Sequence, residues 1–511
     1  MKKTSNQTPD IRDGALRGGR SIPLWAGLIL VSGVPRILGA FLLPNAFGDA
    51  YSYLDYIEAM RSKMADGTFA IKDLHGFWLP MYQFICAAAS LLFGHTFYVA
   101  KLVSALCGTG ACLLVYQISL RLTNHRQLSL LAFALISLNP LHILYSSSSM
   151  TDIPHSFLVT ASLYFALEKR WKTAAVFAAA AGFMRIESWM LIVLLPALQF
   201  LFQRRVSLGA LCIMIISPLL WFYICWKATG SAMAYFETRN RYVADYAAAN
   251  PAVTTFSSQR LRLDGERLLV STNLAVLCSC LAAALMIMRM TIRRMTAGRM
   301  VRQKFQAASL DLVGVTAANV FFFSNLGFLL FAYFTGSQPD IWSRYGLTFF
   351  TLGLPVTAWT FLAITERRSK IILATAILAV FAYHTKGQVR EVVSCVSEES
   401  AKTVVADYLK GAHKNDPGLR IYCDEGNIRA LSGLPSDRFL TAYNLPAGPD
   451  GLLKRFDDAG VKYLVCTNWE VSTLTRFFPA LREGKGGDVF HPVAHANSKR
   501  SKLEIWVYRF R

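Results

Sequence analysis

Two aspartates in separate polar segments are the strongest candidates for catalysis in this sequence. Asp49 stands in FGDAYSYL, just after the first long apolar run, and Asp152 stands in SSSSMTDIPH between two others. A carboxylate at the boundary of water and lipid can act as a general base toward a hydroxyl group. Two such carboxylates can also hold a divalent cation (Mg, Mn or Ca), although the sequence demands no cofactor. The structural alternative is that each aspartate caps a helix N-terminus.

Arginines near the ends of apolar runs supply the matching positive charges. Arg344 is followed by Tyr345 at the start of such a run, and we expect it to bind a lipid phosphate because guanidinium binds phosphate bidentately. Arg185 lies two residues before Glu187, so it either serves the same purpose or simply pairs with that carboxylate. Arg36 lies within an apolar run, and its side chain is expected to extend toward the interface.

The composition places these residues in a membrane protein. Of 511 residues, 54% are hydrophobic and 17% are charged, with a mean hydropathy of +0.36. Soluble domains carry about 25% charged residues. Eleven apolar segments are predicted to span a bilayer, several of them as short or broken helices. They cover residues 22–43, 97–120, 127–146, 153–168, 173–184, 188–203, 206–227, 268–288, 311–334, 345–364 and 371–384.

The basic residues predict the orientation of these segments. The net charge is +21, and segment 77–94 is the one whose crossing is ambiguous. If 77–94 lies along the outer interface, the main basic clusters fall on the side of the basic N-terminal tail; these are 121–126, 169–172, 204–205, 289–304 and 367–370. The positive-inside rule then predicts a cytoplasmic N-terminus in an inner membrane. Nucleic acid is not expected as a partner, because the sequence contains no basic-aromatic module.

The chain is predicted to divide into a helical membrane domain, 1–384, and a small α/β domain, 385–511, on the outer or periplasmic side. The other outer segments are a first loop (44–96) with interfacial helices, a turn (146–153) and a loop (228–267). In the tail, strands are predicted at Leu419–Cys423, Val461–Cys466 and Leu503–Tyr508, and helices at 398–411, 449–459 and 471–482. Cys423 and Cys466 are either buried thiols or, in an oxidising compartment, a disulfide.

Short motifs along the chain resemble those of a known superfamily. In order, they are Gly48-Asp49-Ala50-x-x-Tyr53, Trp78-Leu79-Pro80-x-Tyr82, Leu138-Asn139-Pro140, Asp152, Arg185-x-Glu187 and Arg344-Tyr345. The series resembles the GT-C glycosyltransferases, which include protein O-mannosyltransferases, lipid A aminoarabinose transferases and oligosaccharyltransferase catalytic subunits. The resemblance implies a catalytic or metal-binding acid at Asp49, an assisting acid at Asp152 and a juxtamembrane helix at 77–94. This sequence differs from the protein mannosyltransferases in the first loop. Those enzymes carry an Asp-Glu pair there, whereas here Ala50 follows Asp49.

The predicted function is an inverting glycosyltransferase. It would move a sugar from a polyprenyl-phosphate-linked donor to a hydroxyl of a glycan, lipid or protein acceptor outside the inner membrane. The predicted substrate- and phosphate-binding residues are Arg344, Tyr345, Arg185, Glu187, His75, Trp78 and Tyr53. Aromatic residues of the 228–267 loop either stack on sugar or anchor the chain at the interface.

Two other classes of function stay open on the sequence alone. A transporter or flippase would place ionisable residues near the bilayer midplane and would contain paired broken helices. A non-enzymatic cell-envelope assembly protein would retain its function after loss of both outer acids.

Overall fold

The structure is a computed structural model that describes residues 21–249, 257–296, 311–338, 340–364, 366–441, 448–468 and 473–511. The basic N-terminal tail, the second half of the basic cluster at 289–304 and part of the 228–267 loop lie outside these residues. The predictions made for those segments therefore fall outside the described part of the chain.

Long helices make up most of the described chain. Up to residue 415 they are α1 Ser21–Leu42, α2 Asp49–Ala65, α3 Met81–Phe93, α4 Thr96–Thr123, α5 Arg126–Ser137, α6 Pro140–Ser146, α7 Asp152–Leu167, α8 Trp171–Gly182, α9 Leu191–Gln203, α10 Leu208–Thr229, α11 Ala234–Ala249, α12 Ser258–Thr272, α13 Leu274–Thr296, α14 Leu312–Phe334, α15 Gly346–Ala363 and α16 Arg367–Asn415. Turns of 3₁₀ helix lie at Ile71–Leu74, Ile186–Met190 and Ser343–Tyr345.

The helices have the lengths of a multi-pass membrane protein. Within the described ranges, 8 helices are long and apolar enough to cross a membrane, or up to 9 if α5 and α6, bent by 61°, form one broken span. The other two predicted segments are α7 and α8, which have 16 and 12 residues and are short for straight spans. Helix α3 has 13 residues, which suits the predicted interfacial position.

One predicted span is displaced. The apolar run at 268–288 contains a break at Asn273, where the backbone has a φ of 69° and α12 ends. The Asn273 side chain accepts a hydrogen bond from the amide of Ala275, at 3.0 Å, in the first turn of the next helix. The span therefore begins at Leu274, because the asparagine ends one helix and caps the other.

Helix α15 lies at the centre of the membrane part and bears on the site because it begins just after Arg344. Its residues from Gly346 to Thr360 are all buried. It packs against α4, α7, α13 and α14, so it is surrounded by other helices instead of lipid. Its apolar composition on every face is compatible with such a position.

Arg36 is not extended toward the interface, as the sequence suggested, but is fully buried. Its Nη1 donates to the carbonyl oxygens of Ser32 and Ser137, at 2.7 and 3.2 Å. Its Nη2 donates to the carbonyl oxygen of Ile136 at 3.2 Å and lies 2.8 Å from Nδ1 of His142. The last carbonyls of α5 lack the amide partners of a continuing helix because the chain bends there, although that of Ile136 also accepts from the amide of Asn139 at 3.4 Å. Arg36 thus ties α1 to the bend between α5 and α6.

The C-terminal residues form a mixed five-stranded sheet with the order β2-β1-β3-β5-β4. Its strands are β1 Arg420–Cys423, β2 Phe439–Leu440, β3 Val461–Thr467, β4 Phe490–Ser498 and β5 Leu503–Phe510. The accompanying helices are α17 Gly426–Ser432, α18 Pro449–Ala459 and α19 Thr473–Phe477, with 3₁₀ turns at Ser436–Arg438 and Pro479–Glu483. Strands β1, β3 and β5 were predicted. Strand β4 was missed because it is polar, HPVAHANS, and irregular between Pro492 and Ala494.

Two further expectations for the tail change with the structure. The predicted boundary at residues 384 and 385 falls inside α16, so one continuous helix joins the membrane part to the sheet. Cys423 and Cys466 are free, buried thiols. In the sheet Cys423 is paired with Val465, and adjacent strand residues point to opposite faces, so Cys466 faces the other side. The two thiols therefore do not form a disulfide.

Candidate active site

Nearly all the predicted site residues line one cavity of about 350 Å³. They come from the first loop, the start of α7, the turn before α9 and the turn before α15. The predicted residues that line it are Asp49, Tyr53, Trp78, Asp152, Arg185, Glu187, Arg344 and Tyr345. Their convergence depends on helix packing, since these segments are far apart in the chain.

Asp49 and Arg344 form an ion pair at this cavity. Nη2 of Arg344 lies 2.9 Å from Oδ2 of Asp49. Within the described part of the chain, Oδ1 of Asp49 has no hydrogen-bond partner, and Nε of Arg344 is buried without one. Asp49 is the first residue of α2 and Gly48 occupies the cap position, so the expected alternative of a helix cap is not seen. The pair therefore keeps one carboxylate oxygen and one guanidinium donor available.

Asp152 and Glu187 share the second arginine. Nη1 of Arg185 lies 2.8 Å from Oδ1 of Asp152, and Nη2 lies 2.9 Å from Oε1 of Glu187. Burial disfavours the charged form of Arg185, but the carboxylates of Glu187 and Asp152 outweigh it and raise its pKa. Thr151, and not Asp152, occupies the cap position of α7.

The two aspartates differ in how far their side chains are exposed to solvent. The Asp152 side chain is 5% exposed, whereas that of Asp49 is 35% exposed. A base must reach the hydroxyl that it deprotonates. The carboxylate of Asp49 is therefore the more accessible of the two, and that of Asp152 is buried against Arg185.

Tyr345 lies between the two arginines. Its ring centre is 5.1 Å from the Arg185 guanidinium carbon and 5.3 Å from that of Arg344. Its hydroxyl accepts hydrogen bonds from Nε2 of Gln338 at 3.1 Å and from Nη2 of Arg344 at 3.4 Å. An aromatic ring attracts a cation over its face, so Tyr345 keeps the two guanidinium groups apart and oriented.

Arg239 on α11 is a cavity residue that the sequence analysis missed. Its Nη1 donates to the Tyr235 hydroxyl at 3.3 Å and its Nη2 to Oε1 of Gln338 at 3.1 Å. No carboxylate of the described residues lies within ion-pair distance of it. Burial opposes its charge, yet Tyr235 and the more distant Glu187 raise its pKa. Tyr235, Arg239 and Tyr242 recur at helical spacing, a pattern that could have revealed this face of α11.

One wall of the cavity is aromatic. The rings of Tyr53 and Trp78 have centres 4.5 Å apart, those of Phe77 and Trp78 5.0 Å, and those of Phe77 and Tyr242 5.2 Å. The charged groups of Asp49, Arg344 and their neighbours form the other side. A cavity with apolar surface and a few directed polar groups suits a small polar ligand such as a sugar.

His75 does not line the cavity, unlike the other predicted binding residues. Its ring stacks on Trp221 with centres 6.1 Å apart and planes 9° apart, and Trp221 in turn contacts Tyr235 at 5.6 Å. Burial lowers the pKa of His75. The histidine therefore packs behind the cavity wall and does not reach its interior.

The arrangement of the two aspartates does not fit a divalent cation. Each carboxylate already binds a guanidinium group less than 3 Å away, through Arg344 and Arg185 respectively. Across the described residues there is no group of three or more His, Cys, Asp or Glu side chains that could hold a metal ion. Divalent cations prefer several oxygen ligands and are repelled by adjacent arginines.

Several known proteins share part of this sequence or its fold. Residues 75–226 match the family model of dolichyl-phosphate-mannose-protein mannosyltransferases. The oligosaccharyltransferase of Archaeoglobus fulgidus, in its apo form, is 12% identical and has a TM-score of 0.51 over 88% of this chain and 69% of its own. The same enzyme tethered to an acceptor peptide has a TM-score of 0.52 at 11% identity, over the same 88% and 69%. No curated protein matches this chain in sequence.

The fold is that of the GT-C glycosyltransferases. ArnT from Cupriavidus metallidurans bound to undecaprenyl phosphate is another similar structure, 13% identical over 96% of this chain and 98% of its own, with a TM-score of 0.45. The segment that matches the GT-C mannosyltransferase model contains Trp78, Asp152 and Arg185 but ends well before Arg344. Asp49 also lies outside it. The ion pair between these two residues is therefore an observation from the tertiary structure of this chain.

Proposed function

We propose that this protein is a membrane glycosyltransferase that moves a sugar from a polyprenyl-phosphate donor to an acceptor hydroxyl. The observation that carries the proposal is the Asp49–Arg344 pair, 2.9 Å apart, at a cavity that also has an aromatic wall. The pair provides a base for the hydroxyl and a cation for the phosphate within one site. The wall provides a surface on which a sugar ring can stack.

Asp49 would act as the general base. The acceptor hydroxyl gives its proton to Oδ1 of Asp49 while its oxygen attacks the anomeric carbon of the donor sugar. The new carbon–oxygen bond forms on the face opposite the phosphate, and the bond between sugar and phosphate breaks. The sugar configuration inverts, and the leaving group is the polyprenyl phosphate with one more negative charge.

The arginines would stabilise the leaving phosphate. Nε of Arg344 is buried without a partner in the described chain, and Arg239 is held only by the neutral groups of Tyr235 and Gln338. Guanidinium groups bind phosphate oxygens bidentately, and donors placed where charge develops lower the barrier. Protonation of Asp49 also weakens its attraction for Arg344. The guanidinium then becomes free to follow the phosphate as its charge grows.

The site would face the outside of an inner membrane, with the N-terminus in the cytoplasm. This orientation is supported by the distribution of basic residues and by the shared cavity of the first loop and the turn before α7. It places the sheet domain in the periplasm. The oligosaccharyltransferase of similar fold was solved with a tethered acceptor peptide, and a protein is one of the acceptor classes proposed here.

The direct test is a donor panel with the purified full chain in nanodiscs. Each polyprenyl-phosphate monosaccharide is supplied with a membrane extract as the source of acceptors, and release of free polyprenyl phosphate is measured. We expect release with at least one donor, no transfer of sugar to the acceptors when nucleotide sugars replace the lipid donor, and a product of inverted anomeric configuration by NMR. Transbilayer movement of the intact donor in vesicles, without cleavage, would instead identify a flippase.

A further inference from the structure

Helix α16 carries a row of polar side chains that contact both halves of the candidate site from behind. The row comprises Glu391, Cys395 and Glu399, which are spaced by four residues and so share one face of the helix. They lie beyond the apolar start of α16 and before the sheet domain. None of the three lines the cavity, so they cannot contact a substrate there.

The first contact is with the turn that bears Arg344. Ser343 donates a hydrogen bond from its Oγ to Oε1 of Glu391, at 2.5 Å. The hydroxyl of Tyr145 lies 3.4 Å from the same oxygen. Ser343 immediately precedes Arg344 in the 3₁₀ turn Ser343–Tyr345. Glu391 thus accepts from two hydroxyl groups, and its bond with Ser343 restrains the backbone from which Arg344 extends.

The second contact is with the segment that bears Asp49. Tyr51, two residues after Asp49, donates its hydroxyl to Oε1 of Glu399 at 2.7 Å, and its side chain is buried. Sγ of Cys395 lies 3.6 Å from the carbonyl oxygen of Ala46, just before Asp49. The two acids of α16 therefore bind separately to the two segments that bear the partners of the ion pair.

The same helix leads into the sheet domain, which also contacts α2. Nζ of Lys402, one turn beyond Glu399, lies 3.2 Å from Oε2 of Glu425 at the start of α17. Arg429 of α17 pairs with Asp55 of α2 at 3.3 Å. A displacement of the sheet domain would thus reach the Asp49 segment by two routes.

We propose that Glu391 and Glu399 are positioning residues, which set the distance between Asp49 and Arg344 and make that distance depend on the placement of the sheet domain. The catalytic meaning of this inference rests on the proposed function. The restraint itself does not, because it concerns the two turns whether or not a sugar is transferred.

The experiment is hydrogen–deuterium exchange of the full chain in nanodiscs, which needs no substrate. Glu391→Ala should speed amide exchange about tenfold in peptides that contain Ser343, the effect of losing one hydrogen bond. Glu399→Ala should do the same for peptides that contain Tyr51. Ser343→Ala removes the first bond from its other partner and should reproduce the Glu391→Ala pattern, so the test survives if one variant fails to fold.

The matched control is Glu398→Ala. Glu398 stands on the same helix beside Glu399, but its partners are Ser394 of that helix, at 3.3 Å, and Ser501 of the sheet domain, so it contacts neither turn. This variant should change exchange in neither turn. Unchanged exchange in Glu391→Ala, or an equal rise in Glu398→Ala, would overturn the proposal.

Turnover supplies a second measurement. We expect Glu391→Ala to lower kcat about 10-fold with KM for the lipid donor unchanged, because small misplacements of catalytic groups cost rate more than binding. Glu391→Gln keeps an oxygen acceptor for Ser343 and should restore most of kcat. Equal loss in the Gln and Ala variants would contradict the positioning role. Absence of transfer by the wild type would refute the proposed function alone, and exchange would still decide the restraint.

Discussion

Replacing Asp49 by Asn is the most direct test of the site. Asn has the shape of Asp and retains an oxygen that can accept the 2.9 Å bond from Arg344. The Asp49 side chain is 35% exposed, so solvent screens the ion pair, and its loss should cost no more than about 1 kcal/mol of folding stability. Asn cannot accept a proton from the acceptor. Loss of a positioned base typically lowers the rate by about 10²- to 10⁴-fold.

The assay separates chemistry from binding. Release of polyprenyl phosphate gives kcat, while binding of the lipid donor is followed without acceptor, and a melting curve confirms folding. Donor binding should survive in Asp49→Asn while turnover falls at least about 100-fold. A well-folded Asp49→Asn variant with turnover close to that of the wild type would refute the role of Asp49 as the base.

A matched control lies on the same helix. Glu58 pairs with Arg61 of that helix at 2.5 Å, but its side chain is 51% exposed and does not line the cavity. Glu58→Gln therefore makes the same chemical change, from carboxylate to amide, in an ion pair outside the site. It should leave turnover at the wild-type level, so a shared loss would point to α2 as a whole.

Three further changes test the pairing of Arg185, the role of Arg239 and the orientation of the chain in the membrane. Asp152→Ala leaves Arg185 without one of its two carboxylates in a buried position, and we expect a loss of about 3 kcal/mol in the free energy of unfolding by denaturant. Arg239→Gln removes a cation that has no ion-pair partner among the described residues, and should raise KM for the lipid donor about tenfold in the release assay. A single cysteine at the exposed position Thr68 should react with an impermeant maleimide in intact cells. A single cysteine at the exposed position Gln127 should react only after permeabilisation.

Each of these has an outcome that contradicts it. Wild-type stability of Asp152→Ala would mean that Glu187 alone satisfies Arg185. An unchanged KM in Arg239→Gln would remove that residue from phosphate binding. Labelling of the cysteine at Gln127 in intact cells would overturn the proposed orientation, and with it the outer location of the cavity.

Much of the fold could be predicted because its signals are local. Hydropathy identifies the apolar helices, and short apolar runs identify β1, β3 and β5. The errors have local causes as well. Asn273 divides an apolar run that hydropathy alone joins, and the polar strand β4 is stabilised by its neighbour β5 and not by its own composition.

The candidate site could be predicted in part, because its residue types are unusual for their surroundings. Acids next to apolar runs and arginines at span ends stand out, so Asp49, Asp152, Arg185 and Arg344 were found. Arg239 was not found, since it is one of two arginines on α11 and no local feature distinguishes it from Arg241. The burial of Arg36 was also missed, because its carbonyl partners are exposed only by the bend after α5.

By itself the sequence determined the membrane class, the order of the apolar helices and the presence of two acids beside them, because these depend on composition and on short-range periodicity. Only the tertiary structure decided which arginine pairs with which acid, that Asp49 is the accessible one, and that Glu391 and Glu399 of α16 lie behind the pair. The physical reason is that pairing and burial depend on distances between segments far apart in the chain. Those distances are set by the packing of helices around α15, which no local pattern encodes.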